Sequence, residues 1–278
     1  MQTTIVSANW LYDHMQDPDL VILDASQSDN VSGLTPQFEG KYIPNARFFD
    51  LKKVFSDQES HLPNTIPSVQ AFEEGVRNLG VSNHSKIVIY DNLGVYFSPR
   101  VRFLFKVMGH HNVAVLDGGL SAWIAAGYET TLQLDSEAFE EGEFKASFLK
   151  ELVVNAKDVF HNLNSQQDLV IDVRSSKRFE GSIPEPRQGI RSGHIPKSLN
   201  LPFKEVLHEG RYKLPEDIQK AFKQAGIVSD QPYVFTCGSG LTACIVMLAS
   251  EIANKNRVKV YDGSWTEWGQ SEYPIEKD

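Results

Sequence analysis

Near the end of each half, this chain carries the same mark. Asp117-Gly118-Gly119 is followed by Trp123, and Asp262-Gly263-Ser264 is followed by Trp268, each Trp six places after its Asp. The two marks stand 145 residues apart. Earlier signals recur in the same order. Leu20-Val-Ile-Leu-Asp24 resembles Leu169-Val-Ile-Asp172, Tyr42-Ile-Pro-Asn-Ala46 resembles His194-Ile-Pro-Lys-Ser198, and Lys86-Ile-Val-Ile-Tyr-Asp91 aligns with Pro232-Tyr-Val-Phe-Thr-Cys237. Four matches in one order argue for a duplicated domain of about 130 residues. That limits the fold more than any other feature, because one architecture has to suit both halves of a 278-residue chain.

Each half reads as α/β. Short β-rich apolar runs fall at 20–23, 87–90 and 113–116, then at 169–173, 233–236 and 257–261. Between them lie helical patterns such as Val101–Met108 and Ala243–Ala253. Strands alternating with helices predict a parallel sheet in each copy, flanked by helices on both faces. The expected organisation is a first domain over 1–130, an acidic linker over 131–150 and a second domain over 151–278. The stretch from Glu129 to Glu143 holds six acidic residues and no Lys or Arg, so it is expected to be solvated and exposed. Arg100 and Arg102, at the start of the first of those helices, read as a solvated or ion-paired face, with a place in the cleft as the alternative.

Charge and cysteine content narrow the chemistry. A net charge of −9 disfavours a nucleic-acid binder, which needs a basic surface to neutralise phosphates. No apolar run is long enough to span a bilayer, and the N-terminal residues lack the basic and apolar regions of a secretory signal. The two cysteines, Cys237 and Cys244, exclude a disulfide framework and a cysteine-rich zinc site. They suit a reducing, cytoplasmic setting. No cofactor and no metal are implied.

The segment with most chemical content is Tyr233-Val-Phe-Thr-Cys237-Gly238-Ser239-Gly240-Leu241-Thr242-Ala-Cys244. It reads as strand, glycine-rich turn and helix, with Cys237 opening the turn. Gly238 and Gly240 let the chain curl so that successive N–H groups converge. That nest and the positive end of the following helix favour an anion, here the Cys237 thiolate. Cys244, inside an apolar helix, reads as a core residue. There is no nucleotide-binding Gly-x-x-x-x-Gly-Lys-[Ser/Thr] pattern.

On these residues the chain resembles the two-domain rhodanese-type sulfurtransferases, over nearly its full length. The resemblance implies that the second domain carries the active cysteine and that the first copy, with Asp91 where Cys237 stands, is inactive. The loop Cys237-Gly238-Ser239-Gly240-Leu241-Thr242 is one conservative step from the Cys-Gly-Ser-Gly-Val-Thr loop of the mercaptopyruvate branch. The thiosulfate branch has Cys-Arg-Lys-Gly-Val-Thr, whose charges suit a dianionic donor. The resemblance further implies that Arg178, in Lys177-Arg-Phe-Glu-Gly181, and Arg187, in Pro184-Glu-Pro-Arg-Gln-Gly189, bind the carboxylate and keto group of 3-mercaptopyruvate. It also implies a Ser239–His61–Asp50 proton relay. On their own residues alone, Asp50 reads as a turn residue and His61 as a loop residue. The implied partners are 3-mercaptopyruvate and a thiol acceptor such as thioredoxin or a small thiol. Three alternatives remain at this stage: a thiosulfate sulfurtransferase, a non-catalytic binding module on the same fold, and a cysteine phosphatase. The last is disfavoured because Ala243 stands where such an enzyme has its loop arginine.

Overall fold

The computed structural model describes residues 3–134, 139–228, 230–255 and 257–278. The chain forms two compact units. The first is Met1–Glu59, Ile66–Leu149 and Glu209–Tyr212; the second is Ser60–Thr65, Lys150–His208 and Lys213–Asp278.

The first unit holds β1 (Ile5–Val6), α1 (Ala8–His14), β2 (Leu20–Asp24), β3 (Ala46–Phe48), α2 (Val69–Asn78), β4 (Lys86–Tyr90), α3 (Ser98–Val107), β5 (Val113–Leu116) and α4 (Gly119–Ala125). Its sheet is parallel, in the order β1-β5-β4-β2-β3. The later part of the chain holds β6 (Val153–Val154), α5 (Ala156–Ser165), β7 (Leu169–Asp172), α6 (Ser176–Phe179), β8 (Leu199–Asn200), β9 (Leu207–His208) and β10 (Arg211–Tyr212). After these come α7 (Pro215–Gln224), β11 (Tyr233–Thr236), α8 (Ala243–Ile252), β12 (Val258–Tyr261) and α9 (Ser264–Gln270). The second unit's parallel sheet runs β6-β12-β11-β7-β8, the first order repeated strand for strand.

The strands read as continuous apolar runs because both sheet faces are covered. On β4 and β5, Val88, Tyr90, Ala114 and Leu116 join Leu11 of α1 and Trp123 of α4 in one core. Alternation sends Ile87, Ile89, Val113 and Val115 to the opposite face, where they are equally buried. In the second unit Val234 and Tyr261 pack with Val159 of α5 and Trp268 of α9. The repeated Trp is therefore a core anchor. Its indole N–H donates to the chain as it leaves the helix, Trp123 to Glu129 O at 2.7 Å and Trp268 to Pro274 O at 2.9 Å. The Ile-Pro signal is structural in the same way. Ile43 and Ile195 are fully buried, and two residues later Asn45 (φ 62°) and Lys197 (φ 63°) take the same left-handed turn.

The structure departs from the sequence reading in two places. Residues 139–149 pack on the first unit: Phe144 is buried against Phe72 and Phe105, and Ser147 N and Leu149 N donate to Met108 O and Val107 O. Glu140, Glu141 and Glu143 are exposed as expected, while Asp135 and Glu137 lie outside the described residues. Arg100 and Arg102 are buried, at 0% and 6% exposure, and not on a solvated face. Every α3 residue except the half-buried Lys106 is buried, and a helix so enclosed leaves its arginines no solvated face.

Candidate active site

Cys237 follows the last residue of β11, at the carboxyl end of a central strand, where open α/β sheets place their sites. Residues Cys237, Ser239, Gly240 and Leu241 are buried, and Gly238 and Thr242 are half-buried. The amino end of α9 holds the loop by its carbonyls. Trp265 N donates to Cys237 O, and Thr266 N to Gly238 O, both at 2.9 Å, and Thr266 Oγ1 donates to Gly238 O at 2.6 Å. Gly240 sits at φ 75°, where a side chain would be strained.

The first unit shows what this turn does with an anion. Asp91 stands where Cys237 stands, and Gly94 (φ 96°) stands where Gly240 does. The Asp91 side chain is fully buried. Oδ2 accepts from Phe97 N at 2.9 Å, Ser98 N at 2.8 Å and Ser98 Oγ at 2.7 Å; Oδ1 accepts from Leu93 N at 3.0 Å. A buried carboxylate is thus solvated by the turn and the start of α3. Asp91→Ala would strand these donors away from water. We expect it to lower the stability of the first unit by about 3 kcal/mol. An unshifted urea-unfolding midpoint would contradict that.

The second unit differs at one matching position. Gly119 (φ 54°) has no room for a side chain, since a Cβ there would stand 2.2 Å from Asp91 O. Its counterpart Ser264 keeps the left-handed backbone at φ 49° and places its hydroxyl in the turn. Ser264 Oγ accepts from Cys237 N and Gly240 N, both at 3.1 Å, and donates to Tyr261 O at 2.8 Å.

Two guanidinium groups converge on the loop. A methyl group on Gly238 would lie 3.2 Å from Arg178 Nη2 and 3.8 Å from Arg187 Nη1. The bare glycine thus makes room for Arg178 close to the backbone beside Cys237, while Arg187 stands at ordinary contact distance from the same point. Arg178 is held from behind by Glu185, which accepts from its Nε at 3.1 Å and also from its Nη2. Glu185 Oε1 accepts from Arg174 Nη1 at 2.9 Å as well. Arg174 is buried, pairs with Asp172 and lies over the Trp265 ring at 4.2 Å. Burial alone would lower its pKa, but the carboxylates of Asp172 and Glu185 outweigh burial and raise it.

His61 and Asp50 lie far earlier in the sequence. His61 is exposed on Ser60–Thr65, the segment that belongs with the second unit. From that segment Asn64 Nδ2 donates to Ser239 Oγ at 3.0 Å. Asp50 belongs to the first unit, where Oδ1 accepts from Lys53 N at 2.9 Å and closes a turn, as its residue type alone suggests. Cys244 is fully buried in α8. Sequence reasoning missed Glu185, Ser264 and Asn64. The first lies inside the Arg187 motif, and the second is the one change within the repeated Asp-Gly mark. Asn64 carries no sequence signal.

The rhodanese-like domain model matches residues 7–126 and 155–271. Thiosulfate/3-mercaptopyruvate sulfurtransferase 1, mitochondrial, of Arabidopsis thaliana is 39% identical, across 98% of this chain and 78% of its own length. The 3-mercaptopyruvate sulfurtransferase of Escherichia coli K12 is 36% identical, across 99% of both chains. The crystal structure of SseA from Escherichia coli superposes with a TM-score of 0.82 at 34% identity, covering 95% of this chain and 99% of that one. With the same strand order in both units and the cysteine loop at the end of β11, this chain belongs to the rhodanese-like family, as a member with two tandem domains.

Proposed function

We propose that the chain is a sulfurtransferase that takes sulfur from 3-mercaptopyruvate onto Cys237 and passes it to a thiol, releasing pyruvate. The observation that carries this reading is the pair of matched turns. One encloses a buried carboxylate in N–H groups; the other puts a cysteine at the same position beside two arginines. The first domain is then the inactive copy, because Asp91 fills the turn with its own anion.

In the first step the Cys237 thiolate attacks the donor sulfur. The S–S bond forms and the C–S bond breaks, and its electron pair passes into the carbonyl as pyruvate enolate. A proton at C3 completes pyruvate and leaves Cys237 as a persulfide. An acceptor thiolate, from thioredoxin or a small thiol, or cyanide in an assay, then attacks the outer sulfur and returns the Cys237 thiolate. Arg178 and Arg187 suit the donor's carboxylate and keto oxygen through charge-assisted pairs. The family resemblance assigns the proton path to Ser239, with His61 and Asp50. The setting is a reducing one, the cytoplasm, which agrees with two free thiols. Among the described residues no helix is long and apolar enough to cross a membrane.

Side-by-side kinetics with 3-mercaptopyruvate and thiosulfate test the reading. The loop from Gly238 to Thr242 carries no charged side chain. Thiosulfate would bring its charge next to the thiolate, whereas mercaptopyruvate holds its charge several bonds from the sulfur. We expect at least about a tenfold preference for 3-mercaptopyruvate in kcat/KM, or about 1.4 kcal/mol. Equal or better turnover of thiosulfate would favour a thiosulfate sulfurtransferase. No turnover of either would favour a binding module.

A further inference from the structure

Asn64 lies outside every motif in the chain. It sits at φ 59°, a left-handed conformation that Asn and Gly tolerate best. Its turn is internally braced. Ser60 Oγ and Thr65 Oγ1 bond at 2.8 Å, Leu62 N donates to Ser60 Oγ at 3.1 Å, and Thr65 Oγ1 donates to Leu62 O at 3.0 Å. From this turn the Asn64 amide reaches Ser239 twice, donating to Oγ at 3.0 Å and to the Ser239 carbonyl at 3.3 Å.

The second contact fixes the amide's orientation. A carbonyl oxygen only accepts, so the end of Asn64 facing it has to be the nitrogen. Ser239 Oγ is then an acceptor from Asn64, and its own proton points away from Asn64. A hydroxyl that already accepts a hydrogen bond is polarised into a better donor.

We propose that Asn64 is a positioning residue for sulfur transfer, holding the Ser239 hydroxyl as a donor to the keto acid. This rests on the functional reading above. As the C–S bond breaks, negative charge gathers on the keto oxygen of the donor molecule. A pre-oriented O–H stabilises that charge more in the transition state than in the ground state. The effect therefore falls on kcat more than on KM.

Asn64→Gly keeps the left-handed backbone and removes the amide. It should lower kcat with 3-mercaptopyruvate by about tenfold, with KM and Tm nearly unchanged. Asn64→Asp, which keeps the side-chain size, puts an acceptor where the donor was and draws the Ser239 proton toward itself. It should cost about a hundredfold, and it carries the test even if the glycine variant folds poorly. The deciding comparison is a double-mutant cycle. In a Ser239→Ala background, Asn64→Gly should change kcat by less than about twofold, because the group it acts through is gone. Losses that multiply across the cycle, or Asn64→Asp no worse than Asn64→Gly, overturn the role of Asn64 alone. A wild-type chain inert toward 3-mercaptopyruvate overturns the functional reading and this inference with it, and is seen before any variant is made.

Discussion

Cys237→Ser should abolish sulfur transfer from every donor, by at least about a thousandfold, whereas Cys244→Ser should leave turnover within about twofold. A serine hydroxyl is almost wholly protonated near neutral pH, so the turn would hold an alcohol where it had a soft nucleophile. Cys244 is different in kind. It is fully buried in α8, its thiol donates to Gly240 O at 3.4 Å, and a serine hydroxyl can make the same bond. Ser98 already occupies the matching helix position in the first unit. Intact-mass measurement after treatment with 3-mercaptopyruvate should show one added sulfur, mapped to Cys237 by peptide digestion. An adduct on Cys244 would reverse the assignment.

Arg178→Ala and Arg187→Ala should each lower kcat/KM for 3-mercaptopyruvate by about 30- to 1000-fold, or about 2–4 kcal/mol. Both guanidinium groups stand beside Gly238, and losing either removes a charge-assisted pair in a partly dry site. Arg178 makes the cleaner test. Its partner Glu185 keeps the bond to Arg174 when Arg178 is removed, so no buried carboxylate is left alone. The loss should thus appear in kinetics with little change in Tm. Folded single variants with unchanged kcat/KM would sink the anchoring role. A lowered Tm with normal kinetics in the folded fraction would make the arginines structural.

Much of the fold was legible because its signals are local. β2, β4, β5, β7, β11 and β12 are long apolar runs, and each was placed within a residue or so. Edge strands were not visible. β1, β6 and β8 have two residues each, too few for any periodicity, and they exist because an existing sheet edge pairs with them. The cysteine loop and the two arginines were legible through motif and resemblance. Glu185 and Ser264 lay within quoted segments, but their roles depend on what faces them. A solvated face for Arg100 and Arg102 is the part the structure overturns, because a helix's charged residues say nothing about whether other elements enclose it.

By itself the sequence determined the duplication, the α/β class, the unit that carries the thiol and the uncharged loop around it. These follow from residue types at short spacing, where backbone geometry and local burial decide. Only the tertiary structure decided what surrounds that thiol. Asn64 reaches Ser239 across 175 positions of chain, Ser264 meets Cys237 across 27, and Glu185 joins Arg174 to Arg178. Such contacts form between segments that only the packed sheets and helices bring within hydrogen-bond distance, and no short-range pattern encodes them.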